Sequence, residues 1–212
     1  MKKFSLFCAA VILQVLPLQV NAQQNKSSEI LSLFTSMLKA LPAFELQFTM
    51  ETDGSVVDGT IHSQKESFKL INNHMEIYCD GKTKWIYNID NKEITIVNND
   101  PSTTDLTENP MAFFTSLENN YSYEQKPKSK TVSNKNLWLI ELRPKNKHFA
   151  YSSIIIGVEK ESLVPVQMEY NSKDGTAQVI YITKFEERRP WPQGYFVFPE
   201  NIMKGLNISD LR

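Results

Sequence analysis

Cysteine is nearly missing from this 212-residue chain: there are two, and Cys8 falls inside an N-terminal apolar run. If that run is removed, only Cys79 remains and no intramolecular disulfide can form. A small buried apolar role beside a turn fits Cys79 better than a reactive thiol. The three histidines, His62, His74 and His148, are isolated from one another and from Cys79, so no metal-ligand spacing exists. A glycine-rich phosphate loop, a nucleophile elbow and a zinc-protease pattern are all absent. Carboxylate pairs such as Glu186-Glu187 sit in charged, surface-like runs rather than in an apolar setting that would tune them for acid and base work. The expectation is a protein that is not an enzyme and needs no cofactor. Beyond residue 22 there are 21 basic and 24 acidic residues, a formal charge of −3, which is no footprint for nucleic acid. No later run approaches the roughly 20 apolar residues of a membrane span.

What is present begins with residues 1–22, which read as a secretory signal: Lys2 and Lys3, an apolar run from Phe4 to Leu18, and small residues at Val20-Asn21-Ala22. The expected mature chain, residues 23–212, suits one domain with a sizeable core. A lipid anchor would need a cysteine directly after the apolar run, and Cys8 lies within it, so the product is expected to be exported and unanchored.

Ile30, Leu31, Phe34, Met37, Leu38 and Leu41 keep a 3.6-residue period after Ser27 and Ser28 and stop at Pro42, which predicts an amphipathic helix. Phe44, Leu46, Phe48 and Met50 then alternate with polar residues, the period of a half-buried strand. Further strands are predicted over Val56–Gln64, Ser67–Ile71, Met75–Cys79, Trp85–Asn88 and Glu93–Val97, separated by turns at Asp53-Gly54, Asn72-Asn73, Asp80-Gly81 and Asp90-Asn91. Asn98 to Asn109 breaks the pattern, and Pro110 suits the first position of a short helix with Met111, Phe113, Phe114 and Leu117 on its apolar face. Lysine-rich Glu124 to Asn136 reads as a solvated loop. Strands resume at Leu137–Leu142, Ser153–Val158, Val164–Tyr170 and Ala177–Phe185, and the segments Phe196–Phe198 and Leu206–Leu211 close the chain. So many short strands at regular spacing predict one large curved antiparallel sheet or open barrel with helices against it.

The order of several local marks carries a family resemblance. Asp80-Gly81-Lys82-Thr83 with Trp85 and Tyr87-Asn88 resembles the periplasmic outer-membrane lipoprotein carrier family, LolA. The helix followed by Phe44–Met50, Gly59, Asn109-Pro110, Leu142-Arg143-Pro144-Lys145, and Phe196-Val197-Phe198-Pro199 leading to Asp210-Leu211-Arg212 agree with it across the mature chain. The resemblance implies a mainly β chain with α (α+β): an unclosed antiparallel β-barrel, or half-barrel, with helices forming a lid over its concave face.

It also implies a soluble, monomeric periplasmic carrier that takes the acyl chains of lipoproteins from an inner-membrane releasing complex and passes them to an outer-membrane acceptor. The groups facing those chains would be Leu31, Phe34 and Leu38 of the helix, Phe44, Leu46, Phe48 and Met50 of the first strand, Phe68, Leu70, Trp85 and Tyr87, and Phe113 and Phe114 of the lid. One departure stands out. Family carriers have an arginine, usually followed by proline, six residues after the glycine aligned with Gly59, where it helps hold the lid; here Lys65-Glu66 takes that place. Lysine keeps the charge but not the planar, multidentate contact, so Lys65 is a candidate latch of a different kind. Three other readings stand beside the carrier: a sensor of mislocalised lipid or lipoprotein with the same open-barrel shape, an outer-membrane acceptor, which the missing anchor cysteine opposes, and a carrier of another hydrophobic small molecule.

Overall fold

The computed structural model describes residues 25–52, 54–100, 103, 109–132, 134–146, 148–149 and 151–212, without the side chains of Pro110 and Met111. The expected signal, residues 1–22, and most of the Asn98 to Asn109 loop lie outside the described residues. Helix α1 (Lys26–Ala40) starts where the Asn25 side chain accepts the Ser28 amide at 3.1 Å, and it ends just before Pro42, which has no amide hydrogen to continue it. A first meander follows: β1 (Phe44–Thr52), β2 (Ser55–Gln64), β3 (Ser67–Asn72), β4 (Met75–Cys79), β5 (Thr83–Asn88) and β6 (Glu93–Asn98). Two short helices, α2 (Pro110–Thr115) and α3 (Leu117–Asn120), lead into β7 (Tyr121–Tyr123), β8 (Lys128–Val132), β9 (Lys135–Pro144), β10 (Tyr151–Glu159), β11 (Pro165–Ser172) and β12 (Ala177–Glu187). Helix α4 (Glu200–Met203) and β13 (Asn207–Asp210) end the chain.

Because β12 returns to pair with β1, the two meanders join into one sheet with the order β13-β6-β5-β4-β3-β2-β1-β12-β11-β10-β9-β7, and β8 pairs with β9 off that path. All pairings are antiparallel except β13 with β6. The two ends, β13 and β7, do not meet, so the sheet stays unclosed, as the resemblance implied. The β4–β5 turn forms as the sequence requires: the Asp80 carboxylate accepts the Lys82 and Thr83 amides, each at 2.8 Å, and Gly81 supplies φ +94°. One expectation is corrected: the lysine-rich stretch contains β8, whose alternate backbone groups pair with β9 although its side chains are mostly exposed. Phe196–Phe198 is part of an irregular segment packed on the outer face.

Register explains the core. Leu46 pairs with Ile61, Ile61 with Leu70, Leu70 with Ile77 and Ile77 with Ile86, an unbroken apolar row across five strands on the inner face. A second row runs from Met50 through Ile180, Met168 and Ile156 to Ile140. Since successive side chains of a strand take opposite faces, one pair fixes its neighbours wherever the ladder is unbroken, as along β1–β2, whereas β1–β12 shifts register between Gln47 and Phe48. Helix α1 lays Ile30, Leu31, Phe34 and Leu38 onto this face. The outer face has its own smaller core of Tyr78, Trp85, Ile94 and Ile96, closed by Phe198.

Candidate functional site

The inner rows enclose a hollow of about 120 Å³ whose lining is almost entirely apolar. Leu46, Phe48 and Met50 of β1 and Leu70 of β3 supply part of its wall, and Phe114 of α2 supplies part of its roof. These five were expected from the sequence. Ile61, Met75, Ile77, Met168, Ile180 and Ile182 complete the apolar lining and were missed, although each alternates correctly in its strand. Their signal was the period of two; what the period could not supply was the β12–β1 pairing that brings Ile180 and Ile182 beside Phe48 and Met50.

A second, larger chamber of about 430 Å³ adjoins the end of α1, with Leu38, Leu41 and Phe44 on its apolar side and Ser63, Lys65 and Asn99 on its polar side. Leu38 and Phe44 therefore line this chamber rather than the hollow. Leu31, Phe34, Phe68 and Phe113 are buried in the core shared by the sheet and the helices and line neither space. Trp85 and Tyr87 are corrected outright: they project from the outer face, where Phe198 lies 5.5 Å from Tyr87 and Trp85 joins the same cluster. Their strand neighbour Ile86 takes the inner face instead.

Among the described residues, three side-chain hydrogen bonds tie or cap the roof. Thr35 Oγ1 donates to the Phe114 carbonyl at 3.2 Å, Ser28 Oγ donates to Glu118 at 3.0 Å, and Asn109 caps α2 by accepting the Ala112 amide at 3.1 Å. Edge-on ring contacts do the rest, Phe34 with Phe114 at 5.7 Å and Phe113 with Phe114 at 5.2 Å. Lys65, the candidate latch, is exposed with φ +54° in the β2–β3 turn and lines a chamber with Leu38 of α1 and Ala112 and Thr115 of α2; among the described residues it makes no hydrogen bond or ion pair.

Beside its small apolar core, the outer face carries a polar cluster. Residues 188–206 run across it. His62 stacks on Trp191 at 5.1 Å and its Nδ1 lies 2.7 Å from the Tyr195 hydroxyl, while Arg188 binds the Glu45 carboxylate. The Arg188 guanidinium holds Glu45 below the usual carboxylate range, and burial lowers His62. Burial also pushes the Cys79 thiol up, consistent with an inert core residue. Among the described residues no group of His, Cys, Asp and Glu is arranged to hold a metal ion.

Comparison with known proteins agrees with this geometry. The profile of the family described as outer membrane lipoprotein carrier protein LolA matches residues 72–199. Comparison with curated proteins by sequence finds no match. Among solved structures, an uncharacterized conserved protein from Thermus thermophilus superposes with a TM-score of 0.58 at 9% identity, over 87% of this chain and 99% of that one. MucB of Pseudomonas aeruginosa, solved in complex with MucA, superposes with a TM-score of 0.52 at 13% identity, over 82% of this chain and 61% of that one. A LolA superfamily protein from Nitrosomonas europaea is 12% identical, with a TM-score of 0.43 over 81% of this chain and 97% of that one. At such identities the likeness is one of fold.

Proposed function

The chain belongs to the LolA family of outer membrane lipoprotein carrier proteins, and from that premise we propose that it is a periplasmic carrier that shields the acyl chains of lipoproteins between the inner and outer membranes. The observation that carries the reading is an apolar hollow roofed by Phe114 on a six-residue helix with few polar ties among the described residues. Each buried methylene contributes about 0.8 kcal/mol, so one long acyl chain offers on the order of 10 kcal/mol. The hollow, at about 120 Å³, compares with the roughly 150 Å³ cavity that admits a single benzene, so a whole fatty chain is accommodated only when the roof moves. Displacing α2 offsets part of the binding energy, which is what a carrier that must later release its load requires. The donor would be an inner-membrane releasing complex and the recipient an outer-membrane acceptor.

The test is mass spectrometry of material that co-purifies with the protein from its native host. Acylated peptides should accompany the parent chain and be depleted from Met50→Glu, which places a charge at a half-buried position of the lining. Absence of acylated material from both would refute the reading.

A second reading, a sensor of lipid or lipoprotein state that signals by protein contact, is supported by the MucB structure, which was solved with a bound protein partner. Depletion separates the two. A carrier's loss strands lipoproteins in the inner membrane, whereas a sensor's loss leaves their sorting intact.

A further inference from the structure

The 430 Å³ chamber beside the hollow differs from it in chemistry. Its polar side contains two buried atoms without a hydrogen-bond partner among the described residues, Ser63 Oγ and Asn99 Oδ1. Ser63 is only 1% exposed, and it occupies the inner-face row between Phe44 and Phe68, one row removed from Leu46, Ile61 and Leu70 of the hollow. The Asn99 amide nitrogen is already committed to the Gly81 carbonyl at 3.2 Å, which leaves its oxygen as the open group. Buried polar groups in folded proteins are nearly always paired, and each orphan calls for an explanation. Lys39 and Lys65 stand on the rim with Glu66, and neither lysine forms an ion pair or a hydrogen bond among the described residues.

We infer that this chamber is a head-group site: it receives the polar junction of an amphiphile whose hydrocarbon lies in the neighbouring hollow. The inference rests on the acyl-chain reading above and adds what the other end of the ligand must be. Asn99 Oδ1 can only accept, so the ligand brings an N–H or O–H donor. Ser63 Oγ can donate, so the ligand brings a carbonyl or ester oxygen. The two rim lysines against one glutamate favour an oxygen-rich head. A bare hydrocarbon or a triglyceride lacks the donor, whereas an N-acylated, diacylglyceryl-modified cysteine offers an amide N–H and ester carbonyls together. An aminophospholipid offers the same chemistry through its ammonium and its esters, so the two sources must be separated by experiment.

Binding of three probes to the full chain is measured in the same detergent: pyrenyl-dodecane, which has no head, an N-acyl-S-diacylglyceryl-cysteinyl peptide, and phosphatidylethanolamine. Ser63→Ala and Asn99→Leu should each weaken a head-bearing probe about fivefold to tenfold and leave pyrenyl-dodecane unchanged. Unloaded Ser63→Ala should be at least as stable to urea as the parent, because it removes an unpaired polar atom, which a purely structural role would not allow; Asn99→Leu also gives up the bond to the Gly81 carbonyl and is read by its binding alone. Weakening of the peptide alone assigns the site to lipid-modified peptides, and weakening of phosphatidylethanolamine alone assigns it to phospholipid. If head-bearing probes bind variants and parent equally, or if all three probes weaken together, the head-group site is overturned while the hydrophobic hollow stands. If the parent takes up neither pyrenyl-dodecane nor the peptide, the carrier reading and this inference fall together.

Discussion

Replacing Gly59 by alanine should destabilise the protein, against the usual expectation for a strand. Within a strand, glycine normally costs roughly 0.5–1 kcal/mol relative to alanine, so a substitution with no other consequence would stabilise. Gly59 is not among the residues with positive φ, so its backbone gives no reason to require glycine. The reason is the facing ring. Phe48 is the register partner of Gly59 and lies flat over it, so that an added Cβ would stand 2.7 Å from Phe48 Cε1 and closer still to Cζ. The ring must lift, and the space above it is the hollow that it lines. Overpacking of this kind costs about 1–3 kcal/mol. At this chain length a loss of about 2 kcal/mol lowers Tm by roughly 4–8 °C. Urea unfolding followed by tryptophan fluorescence supplies the measurement, and the decisive comparison is a double-mutant cycle with Phe48→Leu. The shorter side chain no longer reaches across β2, so the cost of Gly59→Ala should fall by at least half in that background. An equal cost in both backgrounds, within about 0.5 kcal/mol, would refute the account of the ring and the glycine.

Two further outcomes follow from the roof and from the outer face. Phe114→Ala removes the edge contacts with Phe34 and Phe113, and should cost about 3 kcal/mol while speeding uptake of an apolar dye in stopped flow; an unchanged uptake rate would count against a movable roof. Burial holds the folded-state pKa of His62 below its ordinary value, so its stabilising contribution is complete above the unfolded pKa of about 6.5 and is lost as pH falls through the folded value; Glu45, also lowered, adds a further loss below about 4.5. Urea midpoints taken from pH 7.5 to 5 should therefore decline, and His62→Gln should flatten the decline; an identical slope in both proteins would exclude His62 as its source.

The sheet and its first lining strand were readable because their determinants are local. Alternation places Phe44, Leu46, Phe48 and Met50 on one face, and Asp80-Gly81 forces the turn that follows β4. The misplacement of Trp85 and Tyr87 has a different origin. Strand β5 is apolar on both sides, Trp85 and Tyr87 on one and Ile86 on the other, and a period of two says that the faces differ without saying which is the concave one. That choice is made elsewhere in the chain. Ile86 closes the inner row that begins at Leu46, and Phe198 arrives from the far end of the sequence to cover Tyr78 and Tyr87 at 5.2 and 5.5 Å. In the same segment Phe196-Val197-Phe198 forms no strand: its aromatic groups alternate to meet the outer face, and Pro199 ends any ladder they could have joined. Aromatic residues occur on both faces, with Phe34, Phe44, Phe68 and Phe113 in the inner core. Trp85, Tyr87, Trp191, Tyr195 and Phe198 hold the outer cover, where flat rings stack against His62 and one another, whereas the hollow is lined mainly by Ile, Leu and Met. Aliphatic and thioether side chains can change rotamer around a flexible chain, and rigid rings cannot follow its bends as closely. On the carrier reading proposed above, the tail-binding surface would be marked by its aliphatic rows, with Phe48 and Phe114 as the two rings of its lining.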